Sequence, residues 1–169
     1  MTRDERARAY FSDRPVVTQH GDKLRFYSDI MRNRVVLISL FFSNCTGICP
    51  LTNQKLAKVQ NLLGNEIGKN VFILSLTVDP DRDTPEAMRS YAEKLGAGKG
   101  WLFLSGKKDD MNFITRRLGQ TDPDFAAHNP FFMVGDVAGA RWKKVAPNVT
   151  AASLVARLRL MVDTMPNRK

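Results

Sequence analysis

The sequence is poor in the residues that build most metal and disulfide sites, because its 169 residues include only two cysteines and two histidines. These counts exclude a protein with several zinc fingers and a small scaffold held together by many disulfides. No apolar run approaches the roughly 18 residues that a membrane-spanning helix needs. The N-terminus is charged from Arg3 onward, so we expect no signal peptide in this sequence. Any metal or redox site must therefore be small.

The overall composition is that of an ordinary globular domain, with 43% hydrophobic and 25% charged residues. We expect an N-terminal extension over residues 1–15 and a single domain over residues 16–169. The 26 lysines and arginines outnumber the 17 acidic residues, which gives a net charge of +9. Such a charge favours an acidic partner, a nucleic acid or an anionic membrane surface. Because the basic residues are scattered and form no aromatic-basic motif, we exclude nucleic acid as a partner.

Apolar runs that alternate with amphipathic stripes predict an α/β fold. The predicted strands are an N-terminal hairpin at 16–18 and 23–26, buried strands at 34–42, 71–78, 101–104 and 131–134, and a returning strand at 141–145. Helices are predicted after the first three buried strands and at the C-terminus. This order is typical of a thioredoxin-like fold, in which helices flank a central mixed sheet with one antiparallel edge, here with an added N-terminal β-hairpin.

Both cysteines, Cys45 and Cys49, lie in the turn between the first buried strand and its helix, immediately before Pro50. The carboxyl ends of strands are where functional groups collect in open α/β sheets. The positive end of a helix stabilises a thiolate, which is the form that binds metals and attacks disulfides. Two cysteines four positions apart also arise by chance, and a buried cysteine is often simply a small apolar residue. Their location at this turn favours the functional interpretation.

His128 is the other candidate ligand, because it stands just before the strand predicted at 131–134. In a thioredoxin-like topology the loop before this strand lies beside the cysteine turn. His20 serves as a comparison, since it falls in a polar hairpin turn where no functional role is expected. Two sulfurs and one nitrogen form a soft donor set that suits Cu(I) or Zn²⁺. A structural zinc site would require a fourth protein ligand, whereas Cu(I) accepts three, and Cu(II) would need a further water or weak oxygen donor.

Three motifs together resemble the SCO/SenC family: C-x3-C-P at residues 45–50, V-D-P-x-R-D-T-P at residues 78–85, and His128 ahead of an apolar strand. The resemblance covers nearly the whole chain and implies a thioredoxin-like fold that binds copper, as Cu(I) or Cu(II), through Cys45, Cys49 and His128. It also implies a metallochaperone that delivers copper to the dinuclear copper centre of cytochrome c oxidase, or maintains the thiols of that centre. The implied partner is the copper-site subunit of this oxidase or another copper protein.

The resemblance further implies a monomer at the periplasmic face of the inner membrane, held there by an N-terminal membrane helix that this sequence does not display. Asn129-Pro130 after the histidine departs from the family pattern. The alternative function is a thiol–disulfide oxidoreductase, in which Cys45 attacks and Cys49 resolves without help from the histidine. Beyond this thiol chemistry no enzymatic activity is expected.

The acidic motif at residues 78–85 has structural roles as well. Asp83 or Thr84 is predicted to cap a helix that begins at Pro85. Asp79 ends a buried strand at the same sheet edge as the cysteines. From there its carboxylate could orient the metal site by a hydrogen bond to a ligand.

Overall fold

The computed structural model describes residues 1–43, 48–119 and 131–165, and for residues 48–50 it describes the backbone alone. The strands are β1 (Pro15–Thr18), β2 (Lys23–Arg25), β3 (Val35–Phe41), β4 (Val71–Thr77), β5 (Trp101–Ser105), β6 (Phe132–Asp136) and β7 (Arg141–Val145). The helices are α1 (Arg3–Phe11), α2 (Ile48–Leu63), α3 (Pro85–Leu95), α4 (Lys108–Arg117) and α5 (Ala151–Asp163), with a π-helical segment at Phe26–Met31 and a short 3-10 turn at Gly64–Glu66.

The strands form one seven-stranded sheet in the order β2-β1-β5-β4-β3-β6-β7. The central strands β3, β4 and β5 are parallel, and every residue of β3 is buried, as expected of a strand covered on both faces. Strand β6 pairs antiparallel with β3, and β1 pairs antiparallel with β5. Antiparallel strands therefore flank the parallel core on both sides, whereas the sequence predicts one such edge.

Helices cover both faces of the sheet, as the alternating pattern predicts. On one face α2, α3 and α5 bury an apolar stripe that includes Leu56, Met88 and Leu158 against the sheet. On the other face α1, α4 and the π-helical segment contribute Phe11, Ile114 and other apolar side chains. Burying each large side chain contributes roughly 1.5–3 kcal/mol, so the two faces together supply most of the driving force for folding.

The predicted strands and helices all occur, with small shifts at their ends. Helix α2 begins at Ile48, two residues before the proline that was predicted to open it. Helix α1 is an addition, because its sequence carries no apolar stripe and the pattern assigns no element there. A capping box between Thr2 and Glu5 begins α1, and the buried Phe11 at its end holds it on the sheet. The division into an extension and a single domain stays a prediction.

The pairing of β6 with β7 depends on a glycine. Gly135 lies opposite Trp142, and the Trp142 indole ring occupies the space above Gly135 where a side chain would otherwise stand. The same ring packs 5.1 Å from the Phe11 ring, centroid to centroid. Trp142 therefore joins the edge of the sheet to helix α1.

We expect Gly135→Ala to destabilise the protein by about 1–3 kcal/mol, because the added methyl group would overlap the Trp142 indole ring. Urea denaturation followed by circular dichroism measures the change in the free energy of unfolding. Gly98→Ala is the matched control, since its methyl group would meet only the Gln60 side chain at 3.5 Å. Equal stability of the Gly135→Ala variant and the wild type would contradict this packing role.

Candidate metal centre

The structure describes only part of the chain around the three predicted ligands. Cys45 and His128 lie outside the described residues, and Cys49 is the second residue of α2, known by its backbone. Strand β3 ends at Phe41, four residues before Cys45. Strand β6 begins at Phe132, and its register with β3 pairs Ile38 with Met133. The start of β6 therefore lies beside the carboxyl end of β3.

A buried carboxylate holds the chain at the point where it enters the cysteine turn. Asp83 is fully buried and accepts hydrogen bonds from the backbone N–H of Ser43, at 3.2 and 3.3 Å to its two oxygens, and from the Ser43 hydroxyl. The hydroxyl of Thr77, the last residue of β4, donates to the same carboxylate at 2.5 Å. Three donors thus offset the cost of removing this carboxylate from water. They tie the ends of β3 and β4 to the chain just before α3.

A second polar contact fixes the beginning of α2. Asn53, one helical turn after Cys49, is fully buried, and its amide donates to the Tyr91 hydroxyl at 2.6 Å. The Tyr91 ring stacks on Phe41, the last residue of β3, with centroids 5.7 Å apart. Burial raises the pKa of the Tyr91 hydroxyl, which therefore stays protonated at neutral pH. These contacts hold helix α2, helix α3 and the end of β3 together.

The amide oxygen of Asn53 has an unusual environment. It is buried and has no hydrogen-bond partner among the residues that the structure describes. Asn53 stands three residues before Leu56 and continues the apolar stripe of α2 toward its N-terminus. A polar residue on this stripe was the signal by which the sequence could have revealed a buried amide near the cysteines.

The residues of the acidic motif at 78–85 have separate roles in the structure. Thr84 caps α3 by accepting from the N–H of Ala87, and Pro85 is the first residue of that helix, as predicted. The Asp79 carboxylate lies 3.6 Å from the Arg82 guanidinium, in an exposed pair. Asp83, for which the sequence predicts a possible helix cap, accepts hydrogen bonds from Ser43 just before the cysteine turn. A hydrogen bond between the Asp79 carboxylate and a metal ligand stays a prediction.

Other predictions concern residues away from this edge. His20 lies exposed in the hairpin turn, as expected of a residue without a functional role. Within the ranges that the structure describes, no three His, Cys, Asp or Glu side chains cluster in a way that could hold a metal ion. Those same ranges contain no helix with the length and apolar character needed to cross a membrane.

Comparison with known proteins identifies the family. The family model described as SCO1/SenC matches residues 6–162. The chain belongs to the SCO1/SenC family. A SCO2-like protein of Rickettsia prowazekii is 35% identical over 104 residues, which are 61% of this chain and 48% of that protein. The chain spans about half the length of several curated relatives that it matches, and the residues matched by the family model include both cysteines and His128.

Solved structures of the SCO1/SenC family share the fold. Yeast Sco1, determined with copper bound, aligns with a TM-score of 0.74 and 22% identity over 90% of this chain and 92% of its own. BsSco, described as a member of the Sco family of cytochrome c oxidase assembly proteins with a disulfide switch, aligns with a TM-score of 0.72 and 22% identity over 87% of this chain and 90% of its own. These likenesses confirm the predicted thioredoxin-like α/β fold.

We expect Asp83→Asn to lower the free energy of unfolding by about 1–3 kcal/mol, because an amide cannot accept all the hydrogen bonds that the carboxylate receives from Ser43 and Thr77. Urea denaturation measures this loss. Asp81→Asn is the matched control, since Asp81 is exposed in the same loop and its replacement should change stability by less than about 0.5 kcal/mol. Two variants of equal stability would show that the Asp83 carboxylate does not anchor the turn.

Proposed function

We propose that this SCO1/SenC protein is a copper metallochaperone that holds its cargo through Cys45, Cys49 and His128. The observation that carries the proposal is the register of β6 against β3. Strand β6, which follows His128 in the chain, begins beside the carboxyl end of β3, which precedes Cys45. Two thiolates and an imidazole are soft donors, and such a set selects Cu(I) over magnesium, calcium or manganese. Copper would be bound with low coordination, which leaves a position open to a ligand of the recipient.

The surrounding residues have identifiable tasks in this proposal. Cys49 lies in the first turn of α2, where the helix dipole favours a thiolate, and that turn contains no acidic residue. Asp83 holds Ser43 and so fixes the start of the cysteine turn, and the contact of Asn53 with Tyr91 fixes its end. A preorganised frame on both sides of the turn would lower the cost of bringing the two thiolates to one metal ion.

The recipient that we propose is the dinuclear copper centre of cytochrome c oxidase, or another copper protein. This assignment is supported by family membership and by the description of BsSco as belonging to the Sco family of cytochrome c oxidase assembly proteins.

We propose further that the protein acts at the periplasmic face of the inner membrane. A SCO1/SenC relative from Bacillus anthracis, described as a lipoprotein, supports a location at a membrane.

We expect the reduced protein to bind about one Cu(I) per chain. Replacement of Cys45, Cys49 or His128 by Ala should weaken binding by more than the roughly 10–100-fold that follows loss of a residue supporting a metal ligand. Competition with a chromogenic Cu(I) chelator measures the affinity. His20→Ala is the matched control and should bind copper like the wild type, because His20 lies in an exposed turn. A reduced wild-type protein that stays copper-free after loading would overturn the proposal.

A second candidate function is thiol–disulfide exchange, favoured by the disulfide switch described for BsSco. The Cys45 thiolate would attack a disulfide of the substrate and release one of its thiols. The Cys49 thiolate would then attack the mixed disulfide, which releases the second substrate thiol and leaves a Cys45–Cys49 disulfide. Two electrons pass from the cysteine pair to the substrate.

One variant separates the two functions. We expect His128→Ala to lose copper binding. The variant should still reduce the disulfide of dithiobis(nitrobenzoate) at the wild-type rate, because exchange needs only the thiols. Parallel copper titration and absorbance assays measure both properties in one preparation. If the variant retained full copper affinity, His128 would not be a ligand and the oxidoreductase function would become the better account.

A further inference from the structure

A cleft of about 470 Å³ lies on the face of the sheet opposite α2, between α1, the end of α4, and strands β6 and β7. The described residues that line it are apolar, aromatic or basic, and they include Arg3, Arg6, Tyr10, Phe11, Arg117 and Trp142. A cleft of this size can accept a few side chains of a partner.

The described lining of the cleft carries positive charge. Arg3, Arg6 and Arg117 are exposed at its walls, and none of the described residues that line it is acidic. The guanidinium groups of Arg3 and Arg6 donate to the neutral carbonyls of Ala138 and Met1 at 3.3 and 2.7 Å, so their charges remain available. A ligand that enters between these walls meets positive charge from α1 on one side and from α4 on the other.

The acidic residues of α1 are engaged elsewhere. Asp4 accepts from the Tyr27 hydroxyl at 2.7 Å and from the Arg32 guanidinium at 3.0 Å. Glu5 accepts from the backbone N–H of Thr2 in the capping box that begins the helix. These contacts turn the negative charge of α1 away from the cleft.

The cleft exists before any ligand binds, because several contacts fix its walls. The Tyr10 hydroxyl donates to the carbonyl of Arg117 at 3.0 Å and joins α1 to the end of α4. Phe11 is buried and packs against Trp142, which forms an aromatic floor. Trp, Tyr and Arg are the residues that contribute most binding energy at protein interfaces, particularly around a preformed pocket.

One end of the cleft adjoins the chain that carries His128. Arg117 and Leu118 end α4 directly before the segment 120–130, and Met133 follows that segment in β6. A partner seated in the cleft would therefore lie next to both ends of the histidine-bearing loop.

We propose that this cleft docks an acidic peptide segment of a partner protein, with an apolar side chain of the peptide on Trp142 and its carboxylates on Arg3, Arg6 and Arg117. A recessed cleft with charge on opposite walls suits an extended chain better than a flat anionic membrane, which cannot reach the aromatic floor. The role of this docking in copper transfer rests on the proposed function, whereas the binding itself is independent of copper.

The test uses the copper-free full chain and a fluorescein-labelled glutamate-rich peptide with one central phenylalanine, with binding followed by fluorescence anisotropy at low salt. The triple variant Arg3→Glu, Arg6→Glu and Arg117→Glu should bind at least about tenfold more weakly than the wild type. The control triple variant Lys69→Glu, Lys94→Glu and Lys99→Glu makes the same change of charge at exposed sites outside the cleft. It should bind within about threefold of the wild type. Equal losses in both triple variants would show attraction to net charge and overturn the proposal.

Two further measurements keep the test decisive. Trp142→Leu, checked for folding by circular dichroism, should also bind the peptide at least about tenfold more weakly, because the aromatic floor is lost. Unchanged affinity would overturn the anchoring role. Vesicles of phosphatidylcholine and phosphatidylglycerol form the other arm, and binding to these vesicles that depends on the three arginines, without peptide binding, would overturn the proposal in favour of a lipid surface. Failure of peptide binding beside normal copper stoichiometry would reject the docking site and leave the proposed function intact.

Discussion

The arrangement of the chain at the carboxyl ends of β3 and β4 depends on the hydrogen bonds that the buried Asp83 carboxylate accepts. A carboxyl group in the interior is costly unless hydrogen-bond donors replace its water, and here Ser43 and Thr77 supply those donors. These donors belong to chain segments that leave β3 and β4, and Asp83 itself directly precedes α3. A single group therefore sets where three segments meet, one of which enters the cysteine turn.

Around the proposed copper site, contacts between helices and strands form a rigid frame, and the proposed metal ligands lie on chain segments next to that frame. Tyr91 stacks on Phe41 and accepts from Asn53, so that α2 starts at a fixed place relative to β3. Strand β6, which follows the segment with His128 in the chain, runs antiparallel to β3 and begins beside its carboxyl end. On the opposite face α1 and Trp142 form the basic cleft. In our account the sheet edge holds copper while the cleft holds the partner, so each can be altered without the other.

Much of this architecture follows from sequence patterns. The all-buried strand β3 and the largely buried strand β4 appear as apolar runs in the sequence, and Thr84-Pro85 indicates the start of α3. Helix α1 could not be predicted in this way, because only Phe11 of its residues is buried. Tertiary contacts with Trp142, Tyr27 and the Arg117 carbonyl replace an apolar stripe. The antiparallel pairing of β1 with β5 is likewise a long-range choice that local propensity does not encode.

In the candidate site, too, some residues could be predicted from the sequence and others could not. The C-x3-C-P motif and His128 were found from residue type and position, because their chemistry is explicit in the sequence. The supporting residues were not found. Asp83 resembles a helix cap until the fold places Ser43 and Thr77 against it, and Asn53 is a polar residue whose burial only the packing of α2 against Tyr91 reveals. Their roles arise from contacts between distant segments.

The central claim is that two sulfurs and one imidazole nitrogen hold the copper, and X-ray absorption spectroscopy at the copper edge tests it most directly. For the reduced, Cu(I)-loaded protein we expect a first shell of two sulfurs and one nitrogen, with the nitrogen lost in His128→Ala and the sulfurs retained. A wild-type first shell without sulfur, or one that His128→Ala leaves unchanged, would contradict the account.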